Sequence, residues 1–533
     1  MGRQSDTDGA VKWLNRGRVI FSPGVRAIGY GRVMTRELGR REFIQGAAVV
    51  SAGIAVGCGT SSGTSETGGL ATDGITRKKI AIVGAGMAGL SAAVDLAGLG
   101  YDVTVYEGSD SVGGRIRTTT FGDNGPSVDV GAACVDPSQK LALALFSQFN
   151  VTTRNIPLKD YTRYFVNGAQ FDGTAAGLLG GNQLNLTAIE RQSDGLGALL
   201  GNYDTPRLTV DQETSESLRA WATSLQGSYE NHLSSNPNAS ADVANVARLF
   251  RGARASELTA AMLVGYPIEP LSTVRTTAVG GMSALPKAMV TWLDQQDNAR
   301  VQTSAPAISL ERDESGGPVL TVGGQNAGRF GFDYVLLAIP VPQMVTLANA
   351  AGGDPFGLKQ ALVDAGADRV TMMPQLKTAY LLNGRGWLGT GSGQYGYVLS
   401  ADNRGDRAFF NPTAGAGANH EIVTAVAAGA KYNEWGLSDG AREQKAIRNL
   451  DSAFPGAAGA TSDFVVYDWT GESLIGGGYH DYVDGAHWAK VVGLSSKLHG
   501  GRIGLAGDGV ASGRPTINSA IESAKKFVKL VDG

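Results

Sequence analysis

A glycine-rich turn between an apolar strand and an alanine-rich helix constrains this chain more than any other feature. Residues 79–83 read KIAIV, residues 84–89 read GAGMAG and residues 90–97 read LSAAVDLA. In such a unit the first glycine makes the bend, the second lets backbone amides approach a pyrophosphate, and the third allows close helix packing. The amides at the helix start then stabilise phosphate charge. The residues predicted to contact a dinucleotide are Gly84, Gly86, Met87, Ala88 and Gly89.

An acidic residue ends the second predicted strand, which covers residues 102–106. This residue, Glu107, lies 23 positions after Gly84. A carboxylate at this point of a dinucleotide fold binds ribose hydroxyls. Because strand, turn, helix, second strand and acid occur in register, they predict a dinucleotide site far more specifically than the glycines alone.

Length and composition exclude several other classes. A chain of 533 residues exceeds one ordinary core, so more than one domain is expected. The net charge of −3, without a long run of Lys or Arg, argues against nucleic-acid binding. The two cysteines, Cys58 and Cys134, lie in dissimilar contexts, and the five histidines lack metal-ligand spacing. We therefore expect neither a disulfide framework nor a metal.

The first 76 residues resemble an export signal followed by a tether. Twin arginines at 40–41 precede an apolar run that is too short to span a bilayer, as in a Tat signal. Residues 55–58 read AVGC and resemble a bacterial lipoprotein box, which would be lipidated on Cys58. We expect an export signal region over 1–58, a flexible linker over 59–76 and a periplasmic or extracytoplasmic location. Membrane contact is expected only through the signal or the lipid, and either Met1 or Met34 can be the initiator.

The segment after Glu107 indicates which dinucleotide is bound. Residues 113–118 read GGRIRT and residues 129–132 read DVGA. Together with the glycine turn they resemble the flavin-containing amine oxidase family, which includes monoamine, polyamine and L-amino acid oxidases. The resemblance runs from about residue 79 to residue 528. It implies that Gly114 and Arg115 lie over the pyrophosphate of FAD, with Arg115 as a charge partner for phosphate.

Later segments match the same family. Residues 280–286 resemble the return of the chain to the FAD domain, and residues 332–340 resemble a strand that closes this second segment. The resemblance implies an adenine contact at the backbone of Val301, a ribityl-phosphate contact at Asp508 and a flavin contact at the backbone of Ile517.

The resemblance also implies a catalytic lysine. Residues 374–382 read PQLKTAYLL and match a strand whose lysine holds a water at flavin N5, so Lys377 takes that role. The next residues, 383–387, also fit the family. A buried ammonium is costly to desolvate, so we expect a lowered pKa for Lys377. The alternative is a surface lysine on an amphipathic strand.

Several residues are implied at the substrate pocket. Tyr479 occupies the position of a cavity tyrosine of monoamine oxidases, and we count it with Lys377 as catalytic. Gly478 stands where covalent flavoenzymes of the family have a cysteine, so non-covalent FAD is expected. Thr516 aligns with the second cavity tyrosine, which leaves the aromatic cage incomplete. Cys134 and Trp469 are also predicted in the pocket, although each has a core position as an alternative.

These observations predict an α/β chain, α+β overall, with the two-domain fold of amine oxidases and phytoene desaturases. A Rossmann-like FAD-binding domain is expected to be interleaved with a substrate domain of mixed sheet and helices. The predicted FAD-binding domain comprises residues 77–150, 274–345 and 471–533. The predicted substrate domain comprises residues 151–273 and 346–470.

The expected reaction is oxidation of the CH–NH bond of an amine or amino acid by hydride transfer to flavin. The imine would hydrolyse, and the flavin would be reoxidised by O2, giving H2O2, or by another acceptor. A second possibility is a flavin desaturase acting on CH–CH bonds of an apolar substrate, which Thr516 favours and Lys377 opposes. A third is a non-catalytic flavin-binding protein. A homodimer is compatible with the sequence.

Overall fold

The structure is a computed structural model, and part of the chain is described. The described residues are 77–156, 162–203, 225, 227–251, 274–350, 352–384, 397–401, 408–410, 420–436, 439–511 and 515–533. The predictions made for the export signal (1–58), the linker (59–76), Met34, Cys58 and residues 385–387 lie outside them.

The strands are numbered in chain order. They are β1 Lys79–Val83, β2 Asp102–Tyr106, β3 Thr118–Thr120, β4 Ser127–Asp129, β5 Thr153–Ile156, β6 Thr162–Val166, β7 Ala169–Gly173, β8 Arg275–Ala278, β9 Ala299–Gln302, β10 Ala307–Arg312, β11 Pro318–Val322, β12 Gly328–Gly331, β13 Tyr334–Leu337, β14 Thr371–Met373, β15 Gln375–Asn383, β16 Tyr397–Ser400, β17 Ala408–Phe410, β18 His420–Ala428, β19 Thr461–Asp468, β20 Tyr479–Asp481 and β21 Ile503–Leu505.

The α-helices are numbered in the same way. They are α1 Met87–Gly98, α2 Lys140–Gln148, α3 Ala175–Gly180, α4 Ala188–Arg191, α5 Leu196–Gly201, α6 Tyr229–Ser234, α7 Val243–Arg251, α8 Ala284–Leu293, α9 Val341–Ala350, α10 Leu358–Ala365, α11 Ala430–Asn433, α12 Asp439–Ala453, α13 Ala457–Ala460, α14 Gly485–Gly493 and α15 Ile517–Asp532. Short 3-10 turns lie at Ala367–Arg369, Leu494–Ser496 and Asp508–Val510.

A five-stranded parallel sheet has the order β21-β13-β1-β2-β9. Its central strand β1 is apolar, and Ile80, Ala81 and Ile82 are fully buried. Strands buried on both faces read as continuous apolar runs, which is why β1 lacks alternation. Helix α1 packs against α15 and α8, so elements from three distant parts of the sequence meet around the glycine turn.

A seven-stranded sheet has the order β19-β15-β18-β17-β16-β6-β7 and is antiparallel except for the β16–β6 pair. Side chains alternate along its long strand β15. Leu376, Tyr380 and Leu382 pack in one cluster with residues of α12, whereas Ala379 and Leu381 pack on the opposite face with residues of β4. The odd-numbered positions of β15, including that of Lys377, therefore lie on the face that packs against β4.

Smaller ladders join these two sheets. Strand β5 pairs with β8, and β14 pairs with β20, both antiparallel. The five-stranded sheet takes its strands from 77–150, 274–345 and 471–533, and the seven-stranded sheet takes its strands from the remaining segments. The predicted α/β fold class is confirmed. The exact domain boundaries stay a prediction, because the two small ladders cross them.

A search of the helices within the described ranges finds none with the length and apolar character that a bilayer crossing requires.

Candidate active site

The glycine turn has the geometry that its sequence predicts. Gly84 has a φ of 101°, a region that favours glycine, and its amide donates to the carbonyl of Tyr106 at 2.8 Å. A methyl group at Gly89 would lie 1.9 Å from the carbonyl oxygen of Gly84, so α1 packs against the turn as closely as backbone allows. At Gly86 the corresponding position has no atom within 4 Å. Protein atoms therefore pack closely against Gly84 and Gly89, whereas there is free space beside Gly86.

Helix α1 begins directly after this open position. Gly86 is its N-cap and supplies no side-chain hydrogen bond, and the first turn carries no acidic residue. The first amides of a helix have no partner within the helix and carry partial positive charge. Met87, Ala88 and Gly89 therefore lie where backbone amides can bind a phosphate.

Glu107 follows β2 and holds the turn in place. One carboxylate oxygen accepts from the amide of Ala85 at 2.8 Å, and the other accepts from the amide and hydroxyl of Ser109 at 2.8 and 2.9 Å. A carboxylate can accept about four hydrogen bonds, so these contacts do not preclude the predicted ribose contact. Val301 lies on β9, directly opposite Val105 of β2, so it is near the same end of the sheet.

The GGR segment packs against the glycine turn. Gly113 forms a bridge to Gly86, and its amide donates to the carbonyl of Ala85 at 2.9 Å. Gly114 has a φ of 57°, and a methyl group there would lie 3.4 Å from the Cα of Gly86. Gly113 and Gly114 both have positive φ values, 109° and 57°, which favour glycine, and the segment continues directly into Arg115.

Arg115 joins the two ends of the chain. Its Nη1 donates to the carbonyl of Gly478 at 3.0 Å, and its Nη2 donates to Oδ1 of Asp508. Burial opposes the negative charge of Asp508, but Arg115 and His480 outweigh this effect and hold the pKa of Asp508 well below its usual range. Asp508 is thus an anion that fixes the Arg115 guanidinium. The structure brings together these two predicted cofactor residues, which are 393 positions apart.

His480 was not predicted from the sequence. It is buried on β20, its Nε2 accepts from the amide of Val341 at 3.2 Å, and its Nδ1 lies 3.5 Å from Oδ2 of Asp508. Because Nε2 accepts, a neutral ring carries its proton on Nδ1, towards Asp508. No local pattern marks this histidine. Only its place after the predicted Tyr479 could have drawn attention to it.

Lys377 is buried, with 2% of its surface exposed. Its Nζ donates to the carbonyl of Gly131 at 3.0 Å, in the segment that follows β4. Burial lowers the pKa of Lys377 to about 8, although Asp129 and Cys134 act in the opposite direction. The surface-lysine alternative therefore does not apply. An amine with this pKa exchanges protons near neutral pH.

Asp129 also belongs to this environment and was not assigned a role from the sequence. It accepts hydrogen bonds from Oγ1 of Thr118 at 2.6 Å and from the amide of Met282 at 2.9 Å. Burial nevertheless raises its pKa above the usual value, against the effects of these bonds and of Lys377. Asp129 supports the turn that presents Gly131 to Lys377.

The predicted pocket residues occupy different surroundings. Tyr479 is half-buried on β20, opposite Met373 of β14. Trp469 is buried, its ring centroid lies 4.8 Å from that of Tyr467, and its Nε1 donates to the carbonyl of Val130 at 2.8 Å. It thus packs behind the segment that Lys377 contacts.

The other two predicted pocket residues, Cys134 and Thr516, also lie in different surroundings. Cys134 is half-buried, and burial raises the pKa of its thiol, although Arg275 and Lys377 oppose the shift. Thr516 caps α15, because its Oγ1 accepts from the amide of Ser519 at 3.2 Å. Ile517 is the first residue of this helix, so its backbone amide lies at a helix N-terminus. Because a threonine directly before a helix is a typical N-cap, the sequence alone could have indicated this role of Thr516.

The residues present fit FAD. The glycine turn has its opening at Gly86, the α1 amides follow it, and Arg115 and Asp508 form a charged pair beyond it. A protein with this cradle on a parallel sheet and a buried lysine on the neighbouring sheet is an FAD-dependent oxidoreductase. Within the described ranges, no group of His, Cys, Asp and Glu side chains could hold a metal ion.

Comparison with known proteins identifies the family. The family described as flavin containing amine oxidoreductase matches residues 87–531. The chain belongs to this family, and FAD is its cofactor. The predicted family, enzyme class and cofactor are confirmed, whereas the roles of single site residues stay predictions.

Three similar proteins illustrate the relationship. An L-amino acid dehydrogenase of Synechocystis sp. is 23% identical over 451 residues, covering 81% of this chain and 89% of that protein. A flavin-dependent L-tryptophan oxidase, RebO, of Lentzea aerocolonigenes is 36% identical over 104 residues, which are 19% of this chain and only 21% of that protein. A redesigned triple mutant of putrescine oxidase has a similar fold, with a TM-score of 0.70, 18% identity, and coverage of 86% of this chain and 99% of that one.

Proposed function

We propose that this enzyme oxidises the CH–NH bond of a small amine or amino acid. The observation that carries the proposal is Lys377, a buried amine with a lowered pKa on the strand that matches the family's lysine strand. Bound FAD would accept a hydride from the substrate carbon, and water would hydrolyse the imine product. The names of the similar proteins, an amino acid dehydrogenase and a tryptophan oxidase, support this substrate range.

The side chains of the site divide into two groups by their roles. Arg115, Asp508 and Glu107 bind and orient the cofactor, together with the amides of the glycine turn. Lys377 is buried away from bulk water, and it can hold an ordered water or move a proton at Nζ, because its pKa is about 8. Tyr479 supplies an aromatic wall. Thr516 supplies none, so substrate recognition depends on other groups.

We further propose that FAD is held without a covalent bond. Position 478 is glycine, and a methyl group there would lie 1.5 Å from the side-chain oxygen of Gln375. A cysteine at this position would therefore require Gln375 to move. Acid precipitation that leaves the flavin in the pellet would contradict this proposal.

Export through a Tat signal and lipid attachment at Cys58 remain proposals from the sequence. They are supported by Arg40, Arg41 and the AVGC box at 55–58. We propose a periplasmic or extracytoplasmic enzyme on this basis. Cell fractionation with mass spectrometry of the mature N-terminus tests it. Protein with an intact N-terminus that is confined to the cytoplasm would contradict export, and exported protein with an intact N-terminus would contradict lipid attachment at Cys58.

A turnover assay tests the proposed reaction. Holoprotein is incubated with a panel of amines and amino acids, and H2O2 and the reduction of an added dye are both measured, because O2 or another acceptor can reoxidise the flavin. We expect one of the two signals with at least one substrate, together with release of ammonia. Flavin-loaded protein that gives neither signal, but desaturates an apolar substrate, would replace the proposal with the desaturase function.

A further inference from the structure

A small β-ladder beside Lys377 carries two arginines on one face. Strand β8 pairs with β5, with Arg154 opposite Thr277 and Ile156 opposite Arg275. Directly opposite residues share a face, and alternate residues of a strand share it too. Arg154, Thr277 and Arg275 therefore lie on the same face of the ladder. Thr277 is buried on this face.

The segment that carries Cys134 extends the same ladder. Val135 bridges Thr276, with amide-to-carbonyl distances of 2.8 and 3.0 Å. The neighbours of Val135 thus lie on the face of Arg275. Nε of Arg275 is 2.7 Å from Oδ1 of Asp136, which agrees with this register.

Lys377 lies close to this face. Its Nζ donates to the carbonyl of Gly131 at 3.0 Å, and Cys134 lies in the same segment, next to Val135. Lys377 and Cys134 also alter the pKa of each other, although burial has the larger effect on both. Asp129 raises the pKa of both Lys377 and Arg154, and these two cations lower the pKa of Asp129. The face therefore belongs to the surroundings of the predicted catalytic amine.

The balance of charge and one hydroxyl favour an anion here. Three cationic side chains, those of Lys377, Arg154 and Arg275, meet two carboxylates, those of Asp129 and Asp136. Opposite Arg154 and two positions along β8 from Arg275, Oγ1 of Thr277 is buried and has no hydrogen-bond partner among the described residues. A buried hydroxyl without a partner is costly unless something else supplies one.

We propose that Arg154, Thr277 and Arg275, with Cys134 beside them, bind the carboxylate of the substrate, and we call this group the carboxylate face. The substrate class is then α-amino acids rather than amines without a carboxylate. This inference rests on the proposed oxidation of a CH–NH bond. An α-amino acid carries its amine and carboxylate on one carbon, so a carboxylate held beside Lys377 also positions the reacting carbon.

Binding and turnover together test the carboxylate face. Holoprotein is titrated calorimetrically with 3-phenylpropionate, indole-3-propionate and 4-methylpentanoate, which carry a carboxylate and no amine. Anaerobic flavin reduction is then compared for phenylalanine and phenylethylamine, tryptophan and tryptamine, and leucine and isoamylamine. We expect at least one of the carboxylates to bind, and each amino acid to be used better than its amine.

The variants separate recognition from folding. Arg275→Gln and Arg154→Gln should each weaken carboxylate binding and kcat/KM for amino acids about 10- to 100-fold through KM, with amines unaffected. Thr277→Val should weaken both less, about threefold, without loss of stability. Because Arg275→Gln leaves Asp136 without its ion-pair partner, the double variant Asp136→Asn/Arg275→Gln checks that the loss is not one of folding. Arg329→Gln, at an exposed ion pair with Glu311, is the matched control and should change nothing.

Two outcomes distinguish the failures. If carboxylates bind through Arg154 and Arg275 but no amine or amino acid reduces the flavin, the proposed oxidation is wrong and the carboxylate face stands. If amines are oxidised as well as amino acids, or if the arginine variants bind carboxylates as tightly as the wild type, the carboxylate face is wrong and the oxidation stands.

Discussion

The glycine turn and the surroundings of Lys377 are built by different means. In the turn, backbone groups make the site, and glycines are required because backbone atoms approach each other closely, as at Gly84 and Gly89. Around Lys377, charged side chains make the site, and burial shifts the pKa values of Lys377 and Asp129. The geometry of the glycine turn therefore depends on the absence of side chains at a few positions. The protonation of the groups around Lys377 depends on the balance between desolvation and charge pairing.

The largest expected effect is at Gly89. The change Gly89→Ala places a methyl group 1.9 Å from a carbonyl oxygen, so α1 must move away from β1. We expect a destabilisation of at least about 3 kcal/mol and loss of bound FAD, measured by thermal unfolding and by the flavin-to-protein absorbance ratio.

Two other glycines sharpen this result. Gly98→Ala, at the open last position of α1, should change stability by less than about 1 kcal/mol. Gly86→Ala should also preserve the fold of the apoprotein, because the position is open, yet weaken FAD binding about tenfold or more. If Gly89→Ala folds and binds FAD like Gly98→Ala, the steric account of the turn is wrong.

Lys377→Met should separate stability from activity. We expect substrate oxidation to fall at least about 100-fold, measured as anaerobic flavin reduction. The folded pKa of about 8 lies below the unfolded value of 10.5, so the charged lysine destabilises the folded state. This cost is fully present below pH 8 and disappears as the pH rises to 10.5. The variant should thus be more stable than the wild type by up to about 3 kcal/mol at pH 7, with the difference vanishing near pH 10.5.

Lys359→Met is the control for this prediction, because Lys359 is exposed on α10. This variant should change neither the rate of substrate oxidation nor the pH dependence of the free energy of unfolding. A stability difference for Lys377→Met that grows between pH 8 and pH 10 would contradict the account.

Asp508→Asn should weaken FAD binding about 10- to 100-fold, because the Arg115 guanidinium loses its anionic partner. Fluorescence titration of apoprotein with FAD measures this. The lowered pKa of Asp508 also means that its contribution to stability is present above the usual carboxyl range and is lost as the pH falls through the folded value. The variant should lack that part of the acid sensitivity. Asp297→Asn, at the exposed ion pair with Arg77, is the control and should bind FAD normally.

The smallest expected effect is at Thr516. Thr516→Ala removes the cap of α15 and should cost about 1 kcal/mol in thermal unfolding, whereas Thr516→Ser should preserve the cap. If Thr516→Ala instead leaves stability unchanged and alters the choice of substrate, Thr516 acts at the pocket and not as a cap.

The difference between the two regions also explains what could be predicted. The residues of the glycine turn lie within one short segment, and sterics restrict them, so local sequence indicates their geometry. Lys377 was predictable through its strand. The carboxylate face was not, because Arg154 and Arg275 are far apart in sequence and meet only in the β5–β8 ladder. The contact of His480 with Asp508 likewise depends on tertiary packing, and no local pattern predicts it.

The most direct test of the central claim is an absorbance spectrum of the purified protein, recorded before and after acid precipitation and during anaerobic addition of amino acids and amines. We expect a flavin spectrum, release of FAD into the supernatant, and bleaching by at least one CH–NH substrate. A colourless protein that cannot be reconstituted with FAD would contradict the account.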